Sequence, residues 1–173
     1  MAKYTFVRNP FTRVLSAYLN KIEPYARGEG DWQRPYFRRV FEAVDRYRQH
    51  ASGGPESVSL VVFLEWIARS GDPMTEDEHW MPQSRILAPE AVSYDFVGRF
   101  ERLRSDAETL MRRMGFSVPF PSREALEFPG TNANALIMSY FSESAVHWVR
   151  QIYRDDFEAF AYSLNLEDAV EPA

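Results

Sequence analysis

Cysteine is absent from this 173-residue chain. That excludes disulfides and thiolate metal sites and points to a reducing compartment, with a cytoplasmic location as the expectation. Histidine is scarce: the three present are scattered, so no histidine-built metal site is expected. Long apolar runs are missing too. The longest, "SLVVFLEWIA", is interrupted by Glu65 and is too short to cross a bilayer, and "MAKYTF" lacks the apolar segment of a signal peptide. No membrane association is therefore expected. There is no basic excess: 20 Lys and Arg stand against 25 Asp and Glu, for a net charge of −5. Nucleic acid is accordingly not an expected partner, and any anion site must be local. The sequence contains no G-x-x-x-x-G-K-[ST], G-x-G-x-x-G or G-x-S-x-G motif.

Aromatics are plentiful at 15%, enough to dominate the packing of a core. The length suits a single domain, expected over residues 1–166, with residues 167–173 as a fraying tail. Tyr4 to Val7 reads as a short strand. Asn9 is a good N-cap and Pro10 a good first helical residue. Phe11, Val14, Leu15, Tyr18 and Leu19 then form one apolar stripe, while Arg13, Ser16 and Asn20 fall on another face. Further helices are expected over Tyr36 to His50, over Ser57 to Ser70, after the strand "YDFVGRF", and from Ser142 to about Tyr162. The segments "GDPMTEDEHWMPQSRILAPEAVS" and "SVPFPSREALEFPGTNAN" read as long loops, and the acidic cluster Asp72, Glu76, Asp77 and Glu78 as a solvated face. Strands separated by helices give a helix-rich α/β chain with a small parallel sheet. Two strands make a thin sheet, and exposed strand edges leave homo-oligomerisation open.

Two places carry candidate chemistry. Arg8 stands at the corner where the first strand meets the first helix. There, unpaired backbone N–H groups and the helix dipole favour an anion, and a guanidinium adds a fork of donors. Ser16 lies two turns further on and offers a hydroxyl to the same ligand. The plainer alternative pairs Arg8 with an acid and leaves Ser16 in solvent, and spacing alone favours it. His79, in "EDEHWMPQ", has the residue chemistry of a general base; alternatively it packs against Trp80. His50 suits a helix C-terminus, and His147 reads as packing.

"FVRNPFTRVLSAY" resembles the 3′-phosphate signature of the Golgi-type carbohydrate sulfotransferases, F-V-R-[DN]-P-x-x-R-x-x-S-x-Y. "HWMPQSRILAPEAVSYDFVGRFERLRSDAETLMRRMG" resembles that family's H-W-x-P-Q … Y-D-F-[IV]-G-[KR]-x-E segment, and "SESAVHWVRQIYRDDFEAFAYS" its last helices. The three blocks are in the family's order and span most of the chain. The resemblance implies a P-loop-like α/β fold and 3′-phosphoadenosine-5′-phosphosulfate as co-substrate. Arg8 and Ser16 would hold the ribose 3′-phosphate, with Arg13 and Asn132 also assigned to the donor site. His79 would be the catalytic base, with Trp80 and Gln83 beside the acceptor; Asp95 and Glu101 would be structural.

Two departures from the pattern stand out. "RILAP" replaces the family's cysteine, which fits a bacterial-type member without disulfides. The family's upstream 5′-phosphosulfate loop, P-K-x-[AG]-x-[ST]-[ST], has no counterpart here, so the fold is expected to be incomplete at the N-terminus. The implied function is sulfuryl transfer to a hydroxyl of a carbohydrate or small-molecule acceptor. The alternative is an inactive nucleotide-binding or interaction protein on the same scaffold.

Overall fold

The computed structural model describes residues 2–31, 33–50, 57–121 and 130–170. Strand β1, Tyr4–Val7, runs into helix α1, Pro10–Lys21. The Asn9 side chain accepts the Phe11 N–H at 3.0 Å and closes the helix start, with Pro10 where a missing N–H is harmless. Helices α2 (Glu23–Ala26), α3 (Pro35–His50) and α4 (Leu60–Arg69) follow. Helix α4 begins three residues later than the apolar pattern suggests, because Ser59 caps it by accepting the Val62 N–H. A 3₁₀ turn at Pro73–Glu76 and helix α5, Gln83–Leu87, give structure to what reads as a long loop.

Strand β2, Phe96–Arg99, pairs in parallel with β1, and a 3₁₀ turn leads from it into α6, Leu103–Arg113. The register is Tyr4↔Phe96, Thr5↔Val97, Phe6↔Gly98 and Val7↔Arg99. Gly98 is required by its neighbour, since a Cβ there would lie 2.3 Å from the Phe6 ring. Gly98→Ala is expected to cost about 1–3 kcal/mol through this overpacking, read as a lower urea midpoint with an unchanged slope.

The last helical stretch departs from its sequence pattern. Helix α7, Ala133–Tyr140, occupies part of an expected loop, much of which (residues 122–129) lies outside the described residues. The expected single terminal helix is two: α8, Glu143–Ile152, and α9, Arg154–Ala159. Tyr153 breaks them at φ −108°, ψ 24°, where its fully buried hydroxyl donates to the Trp80 carbonyl at 2.6 Å. A buried phenol needs a partner, and reaching this one turns the chain. Within the expected tail, Glu167–Ala169 forms a 3₁₀ turn with Ala169 buried, and residues 171–173 lie outside the described residues.

The core sits between α1, α4 and α8. Phe63, Trp66 and Trp80 pack ring against ring there, and Phe11 lies between Phe141 and Phe157. The sheet lies to one side of this core. Both strands end at the same place, which sets the start of α1 beside the 3₁₀ turn that leads into α6; in parallel sheets the carboxyl ends of strands are where ligands bind. No described helix is long and apolar enough to cross a membrane.

Candidate anion and proton-transfer site

A cavity of about 890 Å³ opens at these strand ends, within the size range of small-molecule and cofactor sites. Arg8, Arg13, Ser16, His79 and Asn132 all line it. The apolar stripe of α1 faces the core, which turns Arg13, Ser16, Ala17, Asn20 and Lys21 toward the opening.

Arg8 is placed by backbone and side chain together. Its N–H donates to Gln83 Oε1 at 2.9 Å, and its carbonyl accepts Gln83 Nε2 at 2.8 Å. Its Nε donates to Thr12 Oγ1 at 3.2 Å, and the guanidinium lies 4.7 Å over the Phe100 ring. The strand register produces this last contact, since Val7 pairs with Arg99 and the next residues are Arg8 and Phe100. No carboxylate forms an ion pair with Arg8 among the described residues. Burial lowers its pKa to about 10; Glu101 acts the other way, and the positive charge of Arg13 adds to the lowering. A guanidinium in this state remains charged at neutral pH and gains from any anion that enters.

The acid whose charge acts on Arg8 is engaged elsewhere. Glu101 accepts the Asn9 N–H at 2.7 Å and the Tyr162 hydroxyl at 3.0 Å, bracing the corner from behind. Burial, followed by the Glu101 charge, raises the Tyr162 phenol, so it stays a donor. Asp95 accepts the Lys3 N–H at 2.8 Å at the far end of the sheet.

Ser16 meets Thr131 across the cavity, Oγ to Oγ1, at 2.9 Å. This contact ties α1 to the entry of α7. Asn132 precedes α7 in the left-handed region at φ 55° and makes no capping bond, which leaves its exposed side chain on the cavity wall. Arg13 has a different function from Arg8. Its Nη1 and Nη2 donate to the carbonyls of Met81 and Glu78 at 2.7 and 2.6 Å, clamping the loop that carries His79. A guanidinium engaged in this way shapes the site and adds positive potential.

His79 is 38% exposed, and its Nδ1 lies 2.7 Å from Asp77 Oδ1. Asp77 belongs to the cluster that reads as solvated, yet its side chain is only 11% exposed. It accepts the His79 N–H at 2.8 Å and the Tyr36 hydroxyl as well. Burial works to raise the Asp77 carboxyl, but the hydrogen bonds from Tyr36 and His79 outweigh it and hold the group below the ordinary carboxylate range. Trp80 and Gln83, expected beside the acceptor, do not line the cavity. Trp80 is fully buried in the core and donates to the Met74 carbonyl, and Gln83 is buried under the Arg8 corner.

Lys21 and Arg104 also line the cavity, and neither stands out in the sequence. Lys21 Nζ lies 4.3 Å over the Phe37 ring; burial, and then the charge of Arg34, lower its pKa. Lys21 was legible as the next turn of the Arg13–Ser16–Asn20 face. Arg104 was not, because only the strand pairing brings the start of α6 to α1. A chain of net negative charge thus gathers Arg8, Arg13, Lys21 and Arg104 around one cavity, with Glu78 as its acidic lining residue. Guanidinium, ammonium and hydroxyl groups are the donor set for a phosphate or sulfate ester.

The family model described as "Sulfotransferase family" matches residues 1–163. Human carbohydrate sulfotransferase 14 is 36% identical over 170 residues, covering 94% of this chain and 42% of the relative. The zebrafish (Danio rerio) carbohydrate sulfotransferase 14 is 35% identical, covering 94% and 44%. Mouse (Mus musculus) carbohydrate sulfotransferase 12 is 32% identical, covering 92% and 40%. The chain therefore spans about two fifths of the length of these relatives. No solved structure matches it.

Proposed function

Because the chain belongs to the sulfotransferase family and is similar to carbohydrate sulfotransferases, we propose that this cavity binds 3′-phosphoadenosine-5′-phosphosulfate and serves sulfuryl transfer to a carbohydrate hydroxyl. The observation that carries the proposal is Arg8, a partly buried guanidinium without a carboxylate partner among the described residues, on the wall of a cavity that it shares with Ser16 and His79. Arg8 and the Ser16 hydroxyl take the ribose 3′-phosphate, and Asn132 and the Thr131 hydroxyl border it. Lys21 and Arg104 add positive potential for the rest of the nucleotide.

The donor supplies the sulfuryl group: the acceptor oxygen bonds to sulfur as the bond from sulfur to the 5′-phosphate oxygen breaks. His79 takes the proton that the acceptor hydroxyl loses. Arg13 keeps the His79 loop against α1, so the base stays at a fixed position on the wall. The cysteine-free composition supports a reducing compartment.

Calorimetric titration with adenosine 3′,5′-bisphosphate tests the reading. Binding is expected, and adenosine 5′-phosphate, which lacks the 3′ ester, is expected to bind at least about 30-fold more weakly, the value of roughly 2 kcal/mol of charge-assisted hydrogen bonding. Equal affinity for the two nucleotides rejects the 3′-phosphate assignment.

A further inference from the structure

The hydrogen bonds around His79 continue beyond it. Tyr36, near the start of α3, donates to one Asp77 oxygen, and the other Asp77 oxygen faces His79 Nδ1 at 2.7 Å. Asp77 is a carboxylate and can only accept, so the neutral imidazole must carry its proton on Nδ1. Nε2 then holds the lone pair, and it has no hydrogen-bond partner among the described residues. The ring is held on its other side by Phe37, edge to face at 5.6 Å.

We propose that Asp77 is a positioning residue that fixes the His79 tautomer with Nε2 bare, and that Tyr36 holds Asp77 in the orientation this requires. The inference rests on the proposed role of His79 as proton acceptor. A base must present its lone pair to the hydroxyl, yet an unrestrained imidazole in water prefers its proton on Nε2, the wrong nitrogen. Asp77 reverses that preference and also stabilises the imidazolium that forms once the proton arrives. Supporting conditions are met at both partners. Burial, then the Asp77 hydrogen bond, push the Tyr36 phenol up to about 12, so it remains a donor throughout the neutral range. Asp77 is held in its charged form.

A purely local alternative exists, because Asp77 Oδ1 also accepts the His79 N–H and so closes a short turn. Asparagine keeps that acceptor and removes the charge, which separates the two roles. The experiment is nitrogen-15 NMR of the imidazoles in the full chain, with His79→Gln identifying the His79 signals. Wild type is expected to show neutral His79 protonated on Nδ1. Asp77→Asn is expected to shift the population measurably toward the Nε2-protonated form, and Tyr36→Phe to do so less. In turnover, Asp77→Asn is expected to lower kcat at least about 10–100-fold, the scale for carboxylates that orient metal-bound imidazoles, with KM little changed.

A wild-type ring protonated on Nε2, or a tautomer identical in wild type and Asp77→Asn, overturns the proposal. The tautomer is read without nucleotide or acceptor. A negative NMR result therefore rejects the positioning role alone, while failed bisphosphate binding rejects the donor site alone.

Discussion

Arg8→Ala is expected to weaken adenosine 3′,5′-bisphosphate binding about 100-fold, corresponding to about 2.8 kcal/mol. The size follows from the state of the guanidinium. Among the described residues it donates only to Thr12 and rests on the Phe100 ring without a carboxylate. Burial has already cost it solvation. A phosphate dianion therefore meets a donor that gives up little to bind it, and removing that donor leaves the anion to Ser16 and the backbone. Arg8→Lys keeps the charge without the planar fork and is expected to lose about 10-fold. The same substitutions should leave the unfolding midpoint nearly unchanged, because the strand end is held through the Arg8 backbone by Gln83 rather than through the side chain. Titrations of wild type and Arg8→Ala that agree within threefold would remove Arg8 from the donor site.

That division between backbone and side chain also marks what was legible in the sequence. Asn9-Pro10 and the stripe from Phe11 to Leu19 are local signals, and they specify the strand, the cap and the helix. The same stripe, by exclusion, assigns Arg13, Ser16 and Asn20 to the opposite face. Whether such a face meets solvent or a cavity depends on what the rest of the chain places opposite it. Thr131, Arg104 and Phe100 arrive there only through long-range pairing.

Asp77 was misread for a related reason. Among Asp72, Glu76 and Glu78 it looks like one more solvated acid, and its burial depends on Tyr36, 41 residues earlier. A D-x-H spacing does hint at the turn that closes onto His79, although the hint is short. The division of the terminal helix at Tyr153 is another tertiary effect. Nothing in "WVRQIYRDDF" breaks a helix; the break comes from a phenol whose acceptor is the Trp80 carbonyl. Helix α7 follows a residue in the left-handed region that supplies no capping bond, so its start carries little local signature.

Asp156→Ala should be the most destabilising single substitution at this corner, at about 2–5 kcal/mol from two unsatisfied donors and a void. Asp156 is fully buried on α9, and it meets no basic side chain among the ion pairs described. Its charge is held by the start of α5. Oδ2 accepts the Gln83 N–H at 2.8 Å, and Oδ1 accepts the Ser84 N–H at 2.7 Å. Alanine strands both donors away from water and opens a void between α5 and α9.

The effect should also reach the site. Gln83, whose N–H bonds to Asp156, is the residue whose amide grips Arg8 from both sides. Asp156→Asn retains one acceptor oxygen and is expected to lose only about 1–2 kcal/mol, which leaves a folded protein to test. In that variant the urea midpoint should fall, and bisphosphate affinity should fall with it, although Asp156 does not line the cavity. A lower midpoint with unchanged affinity would mean that Gln83 holds the Arg8 backbone without help from α9. An unchanged midpoint in Asp156→Ala would mean that this carboxylate does not secure the packing of α5 on α9.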